Sequence, residues 1–240
     1  MSKPTIKILH LYANDMNIYG DHGNILALKY RLAQHGLLPQ VFGYNPGDTL
    51  PSDVDIVIGG GGQDSGQNKI QKDLQKVGPK LKEMAEDGTP MLMVCGMYQL
   101  LGKSFKTHSG EIIPGIGVFN AQTQAGPERL IGNIVVDSKK FGLLVGYENH
   151  SGQTFLSGST KPLGAVRIGA GNNFSEGQEG STFKNAIGTY MHGPVLPKNP
   201  ALTDFLISTA AKKRYGKFRP SKIDDSLANQ AKKIAASRPR

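Results

Sequence analysis

The sequence predicts an α/β fold, a mostly parallel, doubly wound sheet flanked by helices with antiparallel additions, and three observations carry that expectation. Short apolar runs recur at residues 5–12, 41–44, 54–58, 90–94 and 186–191, with stretches of helical periodicity between the early ones. Glycine and proline, 31 and 14 residues, punctuate these runs and form no low-complexity tract. A chain of 240 residues is also long enough to bury the core of one domain, or two at most, without a metal or disulfide staple.

Taken in order, residues 5–12 alternate apolar and polar side chains as a strand does. Beyond a glycine-containing turn, Ile25, Leu28 and Leu32 recur at helical spacing. Residues 41–44 and 54–58 read as short strands, the second closing on Gly59, Gly60, Gly61 and Gly62. Residues 68–86 are helical in composition, with Leu74, Leu81 and Met84 on one face and a break expected at Gly78-Pro79. Residues 90–94 read as a buried strand. Strands alternating with helices call for right-handed crossovers and a parallel sheet covered on both faces. From 111 to 183 the pattern changes to β-prone runs at 112–118, 130–136 and 165–169, which predict the antiparallel additions to the sheet. A further strand follows at 186–191, then an amphipathic helix at 201–212 and a second at 223–236, beyond Arg219-Pro220.

Composition excludes several functions. The single cysteine, Cys95, rules out an internal disulfide framework, a paired redox motif and a cysteine-built zinc site, leaving a buried structural thiol or a nucleophile. No apolar stretch approaches the roughly 20 residues that span a bilayer. Lys7 and His10 interrupt the first apolar run, so it lacks the form of a signal peptide, and a cytoplasmic protein is expected. The net charge of +9 is lopsided: residues 212–240 hold ten of the 28 Lys and Arg against only Asp224 and Asp225. The body at 1–211 is therefore close to neutral and carries no basic stripe interleaved with aromatics, which argues against a nucleic-acid partner. The extension at 212–240 reads as a solvated basic helical tail, with docking on an acidic partner or on anionic lipid headgroups as the alternative.

Chemistry concentrates in three places. Cys95 stands where the apolar run ending at Val94 turns into a helix, with Gly96 next. A sharp turn projects such a side chain out of the sheet, and the amides of the following helix favour a thiolate over a thiol of reference pKa about 8.5. Far downstream, a strand ends in His192, and the carboxyl ends of strands in an α/β sheet share one edge, so the two can meet there. The Gly59–Gly62 loop opens onto the same edge and lacks the Lys-Ser/Thr ending of a phosphate loop. His10, His35 and His108 have no comparable setting and are expected to be structural or superficial.

The Gly-Gly-Gly-Gln-Asp loop at 60–64, the Cys-Gly-Met-Tyr-Gln turn at 95–99 and the Tyr-Met-His-Gly strand end at 190–193 resemble the class I glutamine amidotransferase family, and within it the cobyric-acid-synthase-like branch. Segments 19–24, 128–133 and 146–154 narrow the resemblance to glutaminase subunits of peptidoglycan-precursor amidation, and the likeness runs from about 6 to 197. The resemblance implies Cys95 as nucleophile, His192 as base, Arg129 as the holder of the glutamine carboxylate, and the amides of Gly60, Gly61, Gly62 and Gly96 as oxyanion donors. The glutamate usual two residues after the histidine is replaced by Pro194, so a Cys–His dyad is implied, with Asp21 or Glu148 as the acid able to orient the imidazole. Met97 also stands where the family has a second glycine.

By the same resemblance, L-glutamine is hydrolysed here and ammonia passes to a Mur-ligase-like (MurT-type) subunit, which amidates the D-glutamate α-carboxylate of the lipid II stem peptide. ATP and Mg are expected on that partner, with no cofactor or metal in this chain, no membrane span, and at most weak contact with an anionic membrane surface. The rival readings are a glutaminase serving another ATP-dependent amidation, a cysteine hydrolase of related fold, and a thiol sensor.

Overall fold

Two β-sheets share the chain, and a computed structural model describes residues 3–239 of it, apart from the side chain of Asp64. In order, β1 (Thr5–Leu11), α1 (His22–Gln34), β2 (Leu38–Tyr44), β3 (Ile56–Gly59), α2 (Asp64–Glu86), β4 (Met91–Val94) and α3 (Gly96–Leu101) come first. The middle of the chain is all strand: β5 (Ser104–Lys106), β6 (Ile112–Pro114), β7 (Ala121–Ser138), β8 (Gly142–Leu156), β9 (Gly164–Ile168), β10 (Gln178–Glu179) and β11 (Ser181–Phe183). Then follow β12 (Ala186–Thr189), a 3-10 turn (Leu196–Lys198), α4 (Pro200–Tyr215) and α5 (Ser226–Ser237).

The first sheet has the order β11-β12-β4-β3-β1-β2. Every pairing is parallel except β11 with β12. Its central strands β3, β4 and β12 are buried throughout, which is why they read in the sequence as continuous apolar runs. β2 is the edge strand, and its first residues face solvent. It therefore begins at Leu38, three residues before the apolar run that marks it.

The expected break at Gly78-Pro79 does not occur: α2 runs unbroken through Pro79. Proline within a helix costs about 3 kcal/mol. Leu74 on one side of it and Leu81 and Met84 on the other are all buried, and such side chains stabilise by roughly 1.5–3 kcal/mol each. The apolar stripe outweighs the missing hydrogen bond. Gly78 helps by letting the helix approach Ile116, whose Cγ2 would lie 2.6 Å from any Cβ at that position.

Of the strands in the middle of the chain, only β11 joins the parallel sheet. The rest make a second sheet, β10-β9-β7-β5-β6, with β8 paired to β7 in a long hairpin. That hairpin ties the two sheets together, because Tyr147 of β8 forms an antiparallel bridge with His192. The C-terminal helices differ from each other. α4 buries Leu202, Leu206, Ile207, Ala210 and Ala211, whereas α5 buries none of its residues, and Leu227 and Ile234 face outward. Within the basic segment, Lys213 pairs with Asp87, and Arg214 pairs with Asp53 and Asp55. Arg31 of α1 pairs with Asp204 and Asp225, which fastens the start of α5 to the body. Arg240, counted in the tail's charge, lies outside the described residues.

Among the described residues no helix is long and apolar enough to cross a membrane.

Candidate active site

Four neighbouring strands of the parallel sheet deliver their carboxyl ends to one place. β1 leads into the loop that carries Asp21, β3 into Gly60–Gly62, β4 into Cys95, and β12 toward His192.

Cys95 sits at φ 50 and ψ −106, a left-handed backbone that non-glycine residues rarely adopt and that costs on the order of 1–3 kcal/mol. Two hydrogen bonds hold it there: its N–H donates to Thr189 O at 2.8 Å, and its carbonyl accepts from Gln99 N–H at 3.0 Å. The turn from strand to helix expected at this cysteine is present, and the side chain opens into a pocket while the residue stays only 5 % exposed. Gly96 opens α3, and Gly62 N lies 3.1 Å from where a Cβ on Gly96 would be, which puts the Gly62 backbone beside the Cys95–Gly96 turn.

His192 is 2 % exposed. Its backbone is fixed to Tyr147 by N–H···O bonds of 2.8 and 3.2 Å. Its Nδ1 lies 3.7 Å from Asp21 Oδ1, an ion-pair distance longer than a hydrogen bond. Asp21 is fully buried, and its other oxygen accepts the Gly61 N–H at 2.6 Å. That bond corrects one expectation: the Gly61 amide is committed to Asp21 and is not directed at a bound substrate. Gly61 must also be glycine, since a Cβ there would fall 2.9 Å from His192 Cε1 and Tyr19 Cδ2. Burial alone would depress the His192 pKa, but the charges of a Cys95 thiolate and of Asp21 outweigh it and raise it to about 10. Glu148, the other acid considered, is buried with its two oxygens accepting the amides of Ala170 and Gly171, each at 2.8 Å.

Arg129 reaches the same pocket from the second sheet, at the register shift that separates Ala125 from Leu130 on β7. Its Nε and Nη2 donate to Asn149 Oδ1 at 3.0 and 2.8 Å, and Nη2 also donates to Asn149 O and to Tyr19 Oη. The pocket, about 470 Å³, is lined by Cys95, Gly62, Tyr19, Arg129, His108 and His150 among others. A thiol and a guanidinium lining one cavity, with an imidazole packed on its Tyr19 wall and a buried carboxylate beyond, suit acyl transfer from an amide that carries a carboxylate elsewhere. Among the described residues no group of three or more His, Cys, Asp or Glu is placed to hold a metal ion.

Sequence reasoning missed several lining residues. His108 is an exposed loop residue with no local signal, and only its place in the fold brings it to the pocket. His10 and His35 are structural, as expected. His10 is buried, with its pKa pushed down to about 4 by burial and then by His22, and His35 bonds Asp204 and Ser221 N–H. Gln67 and Gln99 also line the pocket; Gln67 donates to Gln99, which donates to Tyr190 Oη.

Comparison with known proteins shows the family. The model of the CobB/CobQ-like glutamine amidotransferase domain matches residues 7–200. The chain is 40% identical over 234 residues to the GatD subunit of the glutamine-hydrolysing lipid II isoglutaminyl synthase of Staphylococcus aureus, covering 97% of this chain and 96% of that one. It is 41% identical over 216 residues to the subunit of the same name from Streptococcus pneumoniae, covering 88% and 82%. A solved glutamine amidotransferase from Thermotoga maritima shares the fold at a TM-score of 0.54 and 19% identity, over 96% of this chain and 93% of that one. With the family model spanning most of the chain and relatives aligned along nearly all of it, this protein belongs to the CobB/CobQ-like glutamine amidotransferase family.

Proposed function

We propose that this chain is the glutaminase subunit of a lipid II amidating ligase, hydrolysing L-glutamine at Cys95 and passing ammonia to a Mur-ligase-like (MurT-type) subunit that amidates the D-glutamate α-carboxylate. The observation that carries the chemistry is the placing of Cys95 and Arg129 in one pocket, with His192 packed on the lining residue Tyr19 and Asp21 3.7 Å behind the imidazole. The acceptor class rests on the names of the two GatD relatives.

The Cys95 thiolate attacks the carboxamide carbon of glutamine, and the amides of Gly62 and Gly96 stabilise the developing oxyanion. Gly60 and Gly61 support the site differently. Gly60 O accepts from Met97 N–H at 3.3 Å, and Gly61 holds Asp21. The His192 imidazolium gives its proton to the departing ammonia. Neutral His192 then takes one from the water that cleaves the thioester to glutamate and free thiolate. Asp21 fixes the imidazole from behind and stabilises its charge, filling the place that Pro194 leaves without an acid. Arg129 binds the α-carboxylate through the part of its guanidinium that faces the pocket, the Nε–Nη2 edge being held in plane by Asn149. ATP and Mg act on the partner.

The basic segment at 212–240 serves as the docking element beyond a catalytic body at 1–211, since α5 buries none of its side chains. A weak contact with an anionic membrane surface is part of the same reading.

The test measures glutamate release from L-glutamine by the full chain with and without Cys95→Ala, and amidation of lipid II by the complex copurified with this chain. Release that depends on Cys95, with ammonia incorporated into the stem peptide, supports the reading. A copurifying partner that amidates a different acceptor would overturn the substrate class while leaving the glutaminase intact.

A further inference from the structure

We infer that Tyr19 is a substrate-positioning residue whose phenol donates a hydrogen bond to the carboxylate gripped by Arg129, so that the pocket selects glutamine with a free α-carboxylate. This deepens the proposed function and rests on its assignment of Arg129.

Tyr19 lies in the loop between β1 and α1 and touches two functional groups at once. Its ring packs on His192, with centroids 4.5 Å apart and planes tilted by 52°. Its hydroxyl is 3.1 Å from Arg129 Nη2. A guanidinium can only donate, so the tyrosine oxygen is the acceptor in that bond and its own hydrogen is not spent on the arginine. Tyr19 and Arg129 line the same cavity as Cys95. A carboxylate placed against Arg129 therefore meets a second donor beside the guanidinium, and a hydrogen bond to an ionised acceptor is roughly twice as strong as a neutral one.

The position of the phenol is fixed from below. The bare Gly61 backbone lets the ring close over His192, because a Cβ there would lie 2.9 Å from both Tyr19 Cδ2 and His192 Cε1. The loop itself is held by Ile18 N–H on Gly61 O at 3.3 Å and by His22 N–H on Asn17 Oδ1 at 2.7 Å. One side chain thus links the group that handles the amide to the group that handles the carboxylate.

The decisive comparison is Tyr19→Phe, which keeps the ring over His192 and removes only the donor. The readout is protection of Cys95 in the full chain against alkylation by iodoacetamide, titrated with L-glutamine and with L-glutamine α-amide, whose carboxylate is blocked. Occupancy of the pocket is then measured without relying on turnover. In Tyr19→Phe the half-protecting concentration of L-glutamine should rise about tenfold or more, as for loss of a hydrogen bond to a charged group, while that of the α-amide stays within about twofold. Equal weakening for both compounds would reduce Tyr19 to a structural prop, and no change for L-glutamine would remove it from the site; either overturns the inference. Arg129→Ala separates the two levels. If it weakens L-glutamine and Tyr19→Phe does not, the inference fails and the reading of Arg129 stands. If Arg129→Ala leaves L-glutamine protection unchanged, the assignment of Arg129 fails and the inference falls with it.

Discussion

The carboxyl edge of the parallel sheet and the β7–β8 hairpin face the same pocket, yet they are built on opposite principles. Cys95, His192 and Asp21 sit at 5, 2 and 0 % exposure beyond the carboxyl ends of strands, and β4 and β12, which lead to the first two, are buried throughout. Arg129 lies at a register shift in a hairpin with an exposed outer face, and Asn149 rather than a packed core keeps it in place. The two regions differ in how they are supported: the strained backbone of Cys95 and the His192–Asp21 pair are locked into the core, whereas Arg129 is held by hydrogen bonds on an exposed hairpin. Loss of function on the sheet edge should therefore appear in rate, and on the hairpin in binding.

After Cys95 itself, the largest effect expected on the edge comes from His192. His192→Ala removes the proton donor and acceptor, and glutamate release at saturating glutamine should fall by about 10²–10⁴. A fall in apparent affinity alone would break the comparison. Asp21→Asn should come next, because it leaves the Gly61 hydrogen bond a partner and removes the charge behind the imidazole. The sign follows from the raised pKa of His192: the imidazolium, stabilised by Cys95 and Asp21, persists up to about 10 in the wild type. In Asp21→Asn the alkaline limb of the pH–rate profile should move to lower pH, and an unchanged limb would remove Asp21 from the site.

On the hairpin, Arg129→Lys exchanges a fork for a point charge, so KM for L-glutamine should rise about tenfold or more with kcat nearly unchanged. A drop in kcat of the same size would show that the two regions are not separable. The smallest effect on glutaminase activity is expected from deleting 223–240, which carries α5. Glutamate release should stay within about twofold, while affinity for the copurifying partner subunit falls and loses its salt dependence. Unfolding on deletion would instead make α5 part of the body through the Arg31–Asp225 pair.

How legible each region was follows from the same contrast. β3, β4 and β12 announce themselves as apolar runs because both faces are covered, and the turn at Cys95 is marked by the change from Met-Leu-Met-Val to Cys-Gly. β2 was recognisable only in its last residues, since an edge strand needs no continuous apolar pattern. The separate second sheet was not legible: periodicity marks strands but not their partners, and the pairing of Leu130 with His150 depends on how the hairpin folds back. At the site, two candidate acids could be named, but their settings depend on loop closure. The β1–α1 loop returns Asp21 to His192 Nδ1, while the backbone at Ala170 and Gly171 closes around Glu148. His108 gave no signal because nothing in its neighbourhood distinguishes a loop histidine that lines a pocket from one that does not.

The role of Cys95 as nucleophile is tested by glutamate release from L-glutamine by Cys95→Ala, under conditions where its circular dichroism spectrum and melting temperature match those of the wild type. Release should fall to background, because Cys95 is the one cysteine of the sequence and alanine leaves no thiol to form the acyl intermediate. Turnover by the folded Cys95→Ala protein within tenfold of the wild type would contradict the account.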